Sequence, residues 1–270
     1  MSFGERLRKR LGESYWAWRF YHFLVADAVS IQRPTKYRIV HEYLSGQLGR
    51  IADIGCGPGV FVRYICARAT DVFAADIDEA SLARVRARHR DNTNLRCLVT
   101  FVNYLPFANG SLDTVLFLEV LEHLADDAAG IRELCRVLAP GGKLVLSVPV
   151  PPGEINPSDP WGHKREGYQL DQLQALLENN GFEIQDHRFA QFKFSRLGER
   201  LVQRWRRWSG FPAPVFLTWV GYLDYLLGSE ARRSGRCLPA CVIVVARKLR
   251  KTLILGNLPY AQEDSQCILQ

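Results

Sequence analysis

Short apolar runs alternate along the chain with longer stretches in which apolar residues recur at helical spacing. Ile51–Ile54 is the first such run and predicts a buried strand. Val72–Asp76, Leu95–Val102, Thr114–Leu118, Lys143–Val148, Phe182–Phe189 and Cys241–Arg247 predict six more. From Pro58 onward, Val60, Phe61, Tyr64 and Ile65 predict a helix with proline in its first turn. Asp78–His89 is acidic at its start and basic at its end, as the helix dipole favours. Asp126–Leu138 and Gln169–Asn180 predict further helices, the second closed by Gly181. Ala139-Pro-Gly-Gly142 is expected to break the chain ahead of the fifth strand.

Strands and helices alternating at this length predict a parallel sheet covered on both faces. Residues 149–167 interrupt the alternation with five prolines and no apolar period, a loop long enough to be functional. Trp16, Phe20 and Phe23 give residues 1–46 a helical aromatic face, either packed on the core or serving as an acceptor-facing or membrane-facing lid. Arg196–Trp208 predicts a basic amphipathic helix, followed by the apolar stretch Phe211–Leu227. Pro212, Pro214 and Asp224 argue against that stretch crossing a membrane. The expected organisation is a helical cap at 1–46, a core at 47–190, a helical insertion at 191–236, a last core strand at 237–250 and a tail at 251–270.

Composition changes this picture in one respect. The net charge of +7 is unevenly spread over the 270 residues. Residues 51–187 carry twelve basic and nineteen acidic side chains, whereas residues 188–250 carry thirteen and three. An acidic core flanked by basic, aromatic-rich additions is expected to favour anionic surfaces or acceptors through salt-sensitive attraction. Seven cysteines without a C-x-x-C pair, and no apolar run after the charged N-terminus, predict reduced thiols and a cytoplasmic protein, peripheral at most to a membrane. Cys267–Gln270 fits a C-a-a-X prenylation pattern.

The chemistry is expected where the first strand ends. In Asp53-Ile-Gly-Cys-Gly-Pro-Gly59 the glycines form a G-x-G-x-G turn through which backbone N–H groups can approach a ligand. Dinucleotide binding wants its third glycine where this chain has Val60. About twenty residues on, Asp76 closes the second strand, and a carboxylate there can accept both ribose hydroxyls of a nucleoside.

The turn, Asp76, Leu105-Pro-Phe107 and Arg136-Val-Leu-Ala-Pro-Gly-Gly142, in that order, resemble the signatures of class I S-adenosylmethionine-dependent methyltransferases. The resemblance covers roughly residues 50–190 and the last strand. It implies a Rossmann-like doubly wound α/β sheet of seven strands with the last antiparallel, N-terminal helices and a helical insertion before the last strand. It also implies S-adenosyl-L-methionine as cofactor, with Asp53, Gly55, Cys56, Gly57, Gly59, Asp76, Ile77, Asn103, Leu118 and Glu119 as its binding residues. Relatives often hold the adenine amine with an aspartate five residues before the proline of the third signature. Phe101 stands there in this chain, so backbone groups or Asn103 take that role in the expectation.

In the resemblance, a Glu-x-x-Glu-His pattern such as Glu119–His123 binds a divalent metal in some quinone-type and RNA-end methyltransferases, with His163 a fourth ligand here. The same pattern is widespread in metal-free members, and no metal is expected. His163, in the proline-rich loop, can take a proton from a hydroxyl nucleophile. Trp161 and Tyr168 are expected to wall the acceptor pocket, with His163 and Tyr168 as the catalytic residues. The acceptor is expected to be a small, lipid-like, quinone-like or glycan molecule methylated on oxygen or carbon. Peripheral contact with an anionic membrane would run through the basic aromatic flanks. The competing readings are a nucleic-acid methyltransferase, motivated by a pI near 9.1, and a non-catalytic partner subunit.

Overall fold

A computed structural model describes residues 33–151, 162–190, 201, 204 and 241–250. The expectations for residues 1–32, Trp161, the insertion helix and apolar stretch, and the tail with Cys267 lie outside the described residues. In chain order the elements are α1 (Arg33–Tyr43), β1 (Gly49–Ile54), α2 (Val62–Cys66), β2 (Ala69–Asp76), α3 (Glu79–Arg88), β3 (Leu95–Val99) and β4 (Leu112–Leu118). A single 3-10 turn (Leu121–His123), α4 (Asp127–Val137), β5 (Leu138–Pro149), α5 (Leu170–Glu178), β6 (Phe182–Ala190) and β7 (Cys241–Lys248) follow.

The strands form one seven-stranded sheet in the order β3-β2-β1-β4-β5-β7-β6. β1 to β5 pair in parallel, and β7 runs antiparallel to both β5 and β6. Period-two alternation assigns side chains to the two faces. Val115, Phe117, Leu144, Leu146, Val242 and Val244 join the core under α4 and α5. Leu116, Val145 and Ile243 between them join the core under α1 and α2. With both faces covered, these strands are apolar along nearly their whole length, which is why they read as runs.

Two boundaries differ from expectation. The helix after the glycine turn starts at Val62, not Pro58, because Gly59 takes φ of +73°, a conformation no right-handed helix contains. Ala139-Pro-Gly-Gly142 does not end an element. β5 begins at Leu138 opposite Leu112, the register shifts, and pairing resumes at Lys143 opposite Thr114, so these residues bulge from a continuous strand.

The Arg136 signature has a structural explanation. The Arg136 guanidinium donates to the carbonyls of Leu105 (3.0 Å) and Phe107 (2.7 Å) and to Asn109 Oδ1 (2.8 Å). Its Nε donates to Glu133 at 2.7 Å, while Glu133 accepts from the Leu105 N–H at 2.8 Å. One side chain on α4 therefore satisfies the carbonyls of the Leu105–Phe107 loop. Arg136→Met is expected to cost roughly 2 kcal/mol, since charge-assisted bonds are lost and loop carbonyls are left unpaired. A urea midpoint equal to wild type would contradict this.

Candidate active site

The strand order reverses between β1 and β4, and there the loops after the two strands diverge into a crevice. The β1 loop lines one side. Gly55 has φ of +73°, and a Cβ on it would lie 2.3 Å from Val120 Cγ2, so this loop and the end of β4 meet only because the side chain is missing. A Cβ on Gly57 would meet nothing within 4 Å, so the space beside its Cα is open. Cys56 is buried with its thiol turned to the Gly57 carbonyl, so only its backbone is placed to contact a ligand.

Asp76 ends β2 beside this turn. One carboxylate oxygen accepts the Gly57 N–H at 2.7 Å and the other accepts the Asp78 N–H at 2.9 Å. A carboxylate offers about four lone-pair sites. Two anchor the loop, and two remain for a vicinal pair of ribose hydroxyls. Ile77 and Phe101, 38% and 62% exposed at the ends of β2 and β3, supply apolar surface flanking that position. Asn103 is exposed in the next turn, its Oδ1 nearest to α4 at Gly130.

Asp53 lies beneath the loop and is buried. Burial, and then the charge of Asp76, push its carboxyl up to about 7. The unfolded chain has the ordinary value near 3.8, so the folded state holds this proton more tightly. The associated stability is complete below about pH 4 and is lost as pH rises through 7, on the order of 4 kcal/mol at 1.36 kcal/mol per unit. The unliganded protein is therefore expected to melt several degrees lower at pH 8 than at pH 6, and Asp53→Asn to remove part of that difference, the remainder belonging to Glu122. Equal slopes for the two proteins would contradict the assignment.

The opposite side of the crevice is a cluster of ionisable groups from four elements. Glu119, just past β4, is the lone non-glycine residue with positive φ among the described residues, at +54°. Its backbone N–H donates to the Ser147 carbonyl at 2.9 Å. Its carboxylate accepts a hydrogen bond from the Ser147 hydroxyl at 2.7 Å and pairs with Lys36 Nζ of α1 at 2.7 Å. Burial would raise the Glu119 carboxyl, but Lys36 and Ser147 outweigh it and hold the group below its ordinary value. For Lys36 burial acts downward, and Glu119 reverses that to leave the ammonium above its ordinary value.

Glu122 in the 3-10 turn has no exposed surface, and neither carboxylate oxygen has a hydrogen-bond partner. Its Oε1 is 4.0 Å from Nε2 of both His123 and His163, whose rings stand 4.7 Å apart at 83°. Burial, and then the neighbouring Glu119, raise its carboxyl well above the usual carboxylate range. The Lys164 N–H donates to the Glu122 carbonyl at 2.9 Å, which seats the loop carrying His163 on the turn.

Tyr168 anchors the loop that carries His163. It is 5% exposed, and its hydroxyl donates to Asp127 at 2.8 Å and receives the Arg165 guanidinium at 2.7 Å. Arg165 also pairs with Asp127 and donates to the Leu124 carbonyl at 2.8 Å. Tyr168 thus locks the His163 loop to α4. The structure brings His163 to within 4.0 Å of Glu122. Lys36 and Ser147 were not anticipated. Their partner Glu119 is 83 and 28 residues away, and no local pattern marks them.

Residues 52–146 match the family model described as "Methyltransferase domain". A probable S-adenosylmethionine-dependent methyltransferase of Mycolicibacterium smegmatis is 36% identical over 159 residues, 56% of this chain and 59% of that protein. A ubiquinone biosynthesis O-methyltransferase of Acinetobacter baylyi is 30% identical over 118 residues, 42% of this chain and 50% of that one. The chain thus spans little more than half the length of the curated relatives it matches. The crystal structure of an S-adenosylmethionine-dependent methyltransferase from Mesorhizobium loti superposes with a TM-score of 0.53 at 22% identity, covering 81% of this chain and all of that one, which shows the shared fold. The matching domain spans the crevice strands, and with the loop, Asp76 and strand order in place, residues 52–146 are a methyltransferase domain whose relatives support the class I S-adenosylmethionine-dependent methyltransferase family.

Proposed function

We propose that the protein methylates a small, hydroxyl-bearing acceptor, lipid-like, quinone-like or glycan in character, with His163 as general base. The observation that supports this most is the position of His163, held by a locked loop against the buried carboxyl of Glu122 at the mouth of the cofactor crevice. When bound, S-adenosylmethionine supplies an electrophilic methyl group on a sulfonium, and the C–S bond breaks as the acceptor oxygen forms its bond to carbon.

The chain's own residues then have four tasks. The backbone of Gly55 and Gly57 and the free lone pairs of Asp76 orient the cofactor. Val120, against Gly55, fixes the distance between the cofactor loop and the acceptor side. His163 accepts the hydroxyl proton, its Nε2 standing 4.0 Å from Glu122 Oε1. Lys36 and Ser147 fix the Glu119 carboxylate, so that its charge does not swing into the path of attack. Alignment and exclusion of water contribute most to such a displacement, and a rigid, enclosed cluster suits both.

The lipid-like part of the reading draws on the basic flanks of the sequence and not on the described residues, in which no helix is long and apolar enough to cross a membrane. Transfer from methyl-labelled cofactor to a panel of hydroxylated aromatics, quinols and glycan intermediates tests the proposal, and flotation with anionic liposomes tests the membrane contact. His163→Ala is expected to lower kcat by about a hundredfold or more with cofactor affinity unchanged. Full turnover in that variant would end the general-base reading.

A further inference from the structure

Apolar surface is left open at one place in the fold more than elsewhere. Four of the seven large apolar side chains exposed among the described residues, Ile77, Val99, Phe101 and Tyr104, stand at or just past the tips of β2 and β3. Phe101 and Tyr104 are the most exposed of the four. Val99 is the register partner of Asp76, and the Thr100 N–H donates to the Asp76 carbonyl at 3.0 Å, so the patch begins beside the carboxylate that keeps two lone pairs free. A carboxylate next to a bare aromatic surface suits a nucleoside, with the sugar on the first and the face of the base on the second.

The edge of such a base finds few acceptors here. The Phe101 carbonyl accepts the Tyr104 N–H at 3.1 Å, and the Thr100 hydroxyl donates to the Tyr104 carbonyl at 3.0 Å, so the turn is closed on itself. The neighbouring acids are engaged as well. Asp78 caps α3 by accepting the N–H groups of Ala80 and Ser81, each at 3.1 Å. Asp126 caps α4 through the Ala129 N–H at 2.8 Å, and Glu133 holds Arg136 and the Leu105 N–H. The Asn103 amide oxygen lies against α4, 4.0 Å from where a Cβ on Gly130 would stand. An amino group at purine C6 is a hydrogen-bond donor, and among the described residues no carboxylate at the β3 tip is left to receive it.

We propose that this cofactor site is permissive at C6 of the purine, accepting cofactor analogues whose 6-amino group is deleted or alkylated, and that Phe101 is the residue that sets this tolerance. The proposal rests on the reading that the crevice takes S-adenosylmethionine. Stacking uses the π-face that every purine has, so loss of the amine changes it little. A pocket that hydrogen-bonds a donor rejects an analogue lacking it by orders of magnitude, because the acceptor is left unpaired. A site without that acceptor has nothing to leave unpaired. An alkyl group added to the amine meets apolar surface open to solvent, and a carboxylate at position 101 would supply the missing acceptor.

The test titrates the full chain calorimetrically with S-adenosylhomocysteine, with its 6-deamino (purine riboside) analogue and with its N6-benzyl analogue. All three keep the ring nitrogens, the sugar and the thioether. In the wild type both analogues are expected to bind within about tenfold of S-adenosylhomocysteine. Phe101→Asp is expected to favour S-adenosylhomocysteine over the deamino analogue by about tenfold or more beyond the wild-type ratio, and Phe101→Asn checks the same point if the aspartate variant does not fold. Phe101→Ala is expected to weaken all three ligands by about tenfold, with their ratios unchanged. Wild-type protein that binds S-adenosylhomocysteine but rejects either analogue by more than about tenfold overturns the proposal alone. No binding of S-adenosylhomocysteine itself overturns the proposal together with the cofactor reading beneath it. An unchanged ratio in both the aspartate and asparagine variants overturns the role of Phe101.

Discussion

Asp76→Ala is expected to weaken S-adenosylmethionine binding by on the order of a hundredfold or more, roughly 3 kcal/mol. The carboxylate does two jobs at once. It holds the β1 loop through the N–H groups of Gly57 and Asp78, at 2.7 and 2.9 Å, and keeps two lone pairs for the ribose. Alanine removes both functions and leaves two loop donors to find water. Asp76→Asn is expected to be nearly as damaging, because the amide nitrogen would face one of those N–H groups, donor against donor. Calorimetric titration with S-adenosylhomocysteine checks this. Alanine-variant affinity within threefold of wild type would show that the ribose is held elsewhere.

Gly55→Ala is expected to have the largest effect on stability. Its φ of +73° disfavours any side chain, and a Cβ would sit 2.3 Å from Val120 Cγ2, far inside contact distance. Strain and overlap together amount to roughly 3 kcal/mol, a sizeable share of a typical domain's total stability. Gly57→Ala provides the contrast. That Cβ would enter open space, so the fold should suffer only the strain of φ +50°, about 1 kcal/mol, while the methyl group intrudes where the cofactor belongs. One substitution should therefore lower the denaturation midpoint strongly, and the other should spare it but weaken cofactor binding. Similar midpoints for both would contradict the distinction.

The parts legible in the sequence are those whose cause is local. Strands covered on both faces are continuous apolar runs, so β1, β4 and β5 could be read from composition alone, and the Gly turn and Asp76 carry their chemistry in adjacent residues. Boundaries were lost where tertiary pairing overrides local preference. Ala139-Pro-Gly-Gly142 reads as a break and is a bulge, because β4 resumes pairing at Lys143. Tyr168 sits one turn from a histidine in a mobile-looking loop and so resembles a pocket residue. Its burial comes from Asp127, 41 positions away, which no spacing rule could place. Lys36 was invisible for the same reason: a lone lysine in a helix says nothing until Glu119 arrives across the fold.

His163 and the Glu119–His123 turn fall between these cases. The residue types suggested proton transfer or metal ligation, but the arrangement decides which groups can act. Glu119 is taken by Lys36, whereas Glu122 faces both imidazoles without a partner. That division lies in the long-range approach of Lys36 on α1 to Glu119 past the end of β4 and cannot be inferred from the Glu-x-x-Glu-His spacing.

Calorimetry of the wild-type chain with S-adenosylhomocysteine, run beside NAD under the same buffer conditions, tests the central claim most directly. One saturable site for the thioether, lost in Asp76→Ala, and no binding of the dinucleotide are predicted. Binding of NAD at that crevice, or no heat of binding with the thioether, would contradict it.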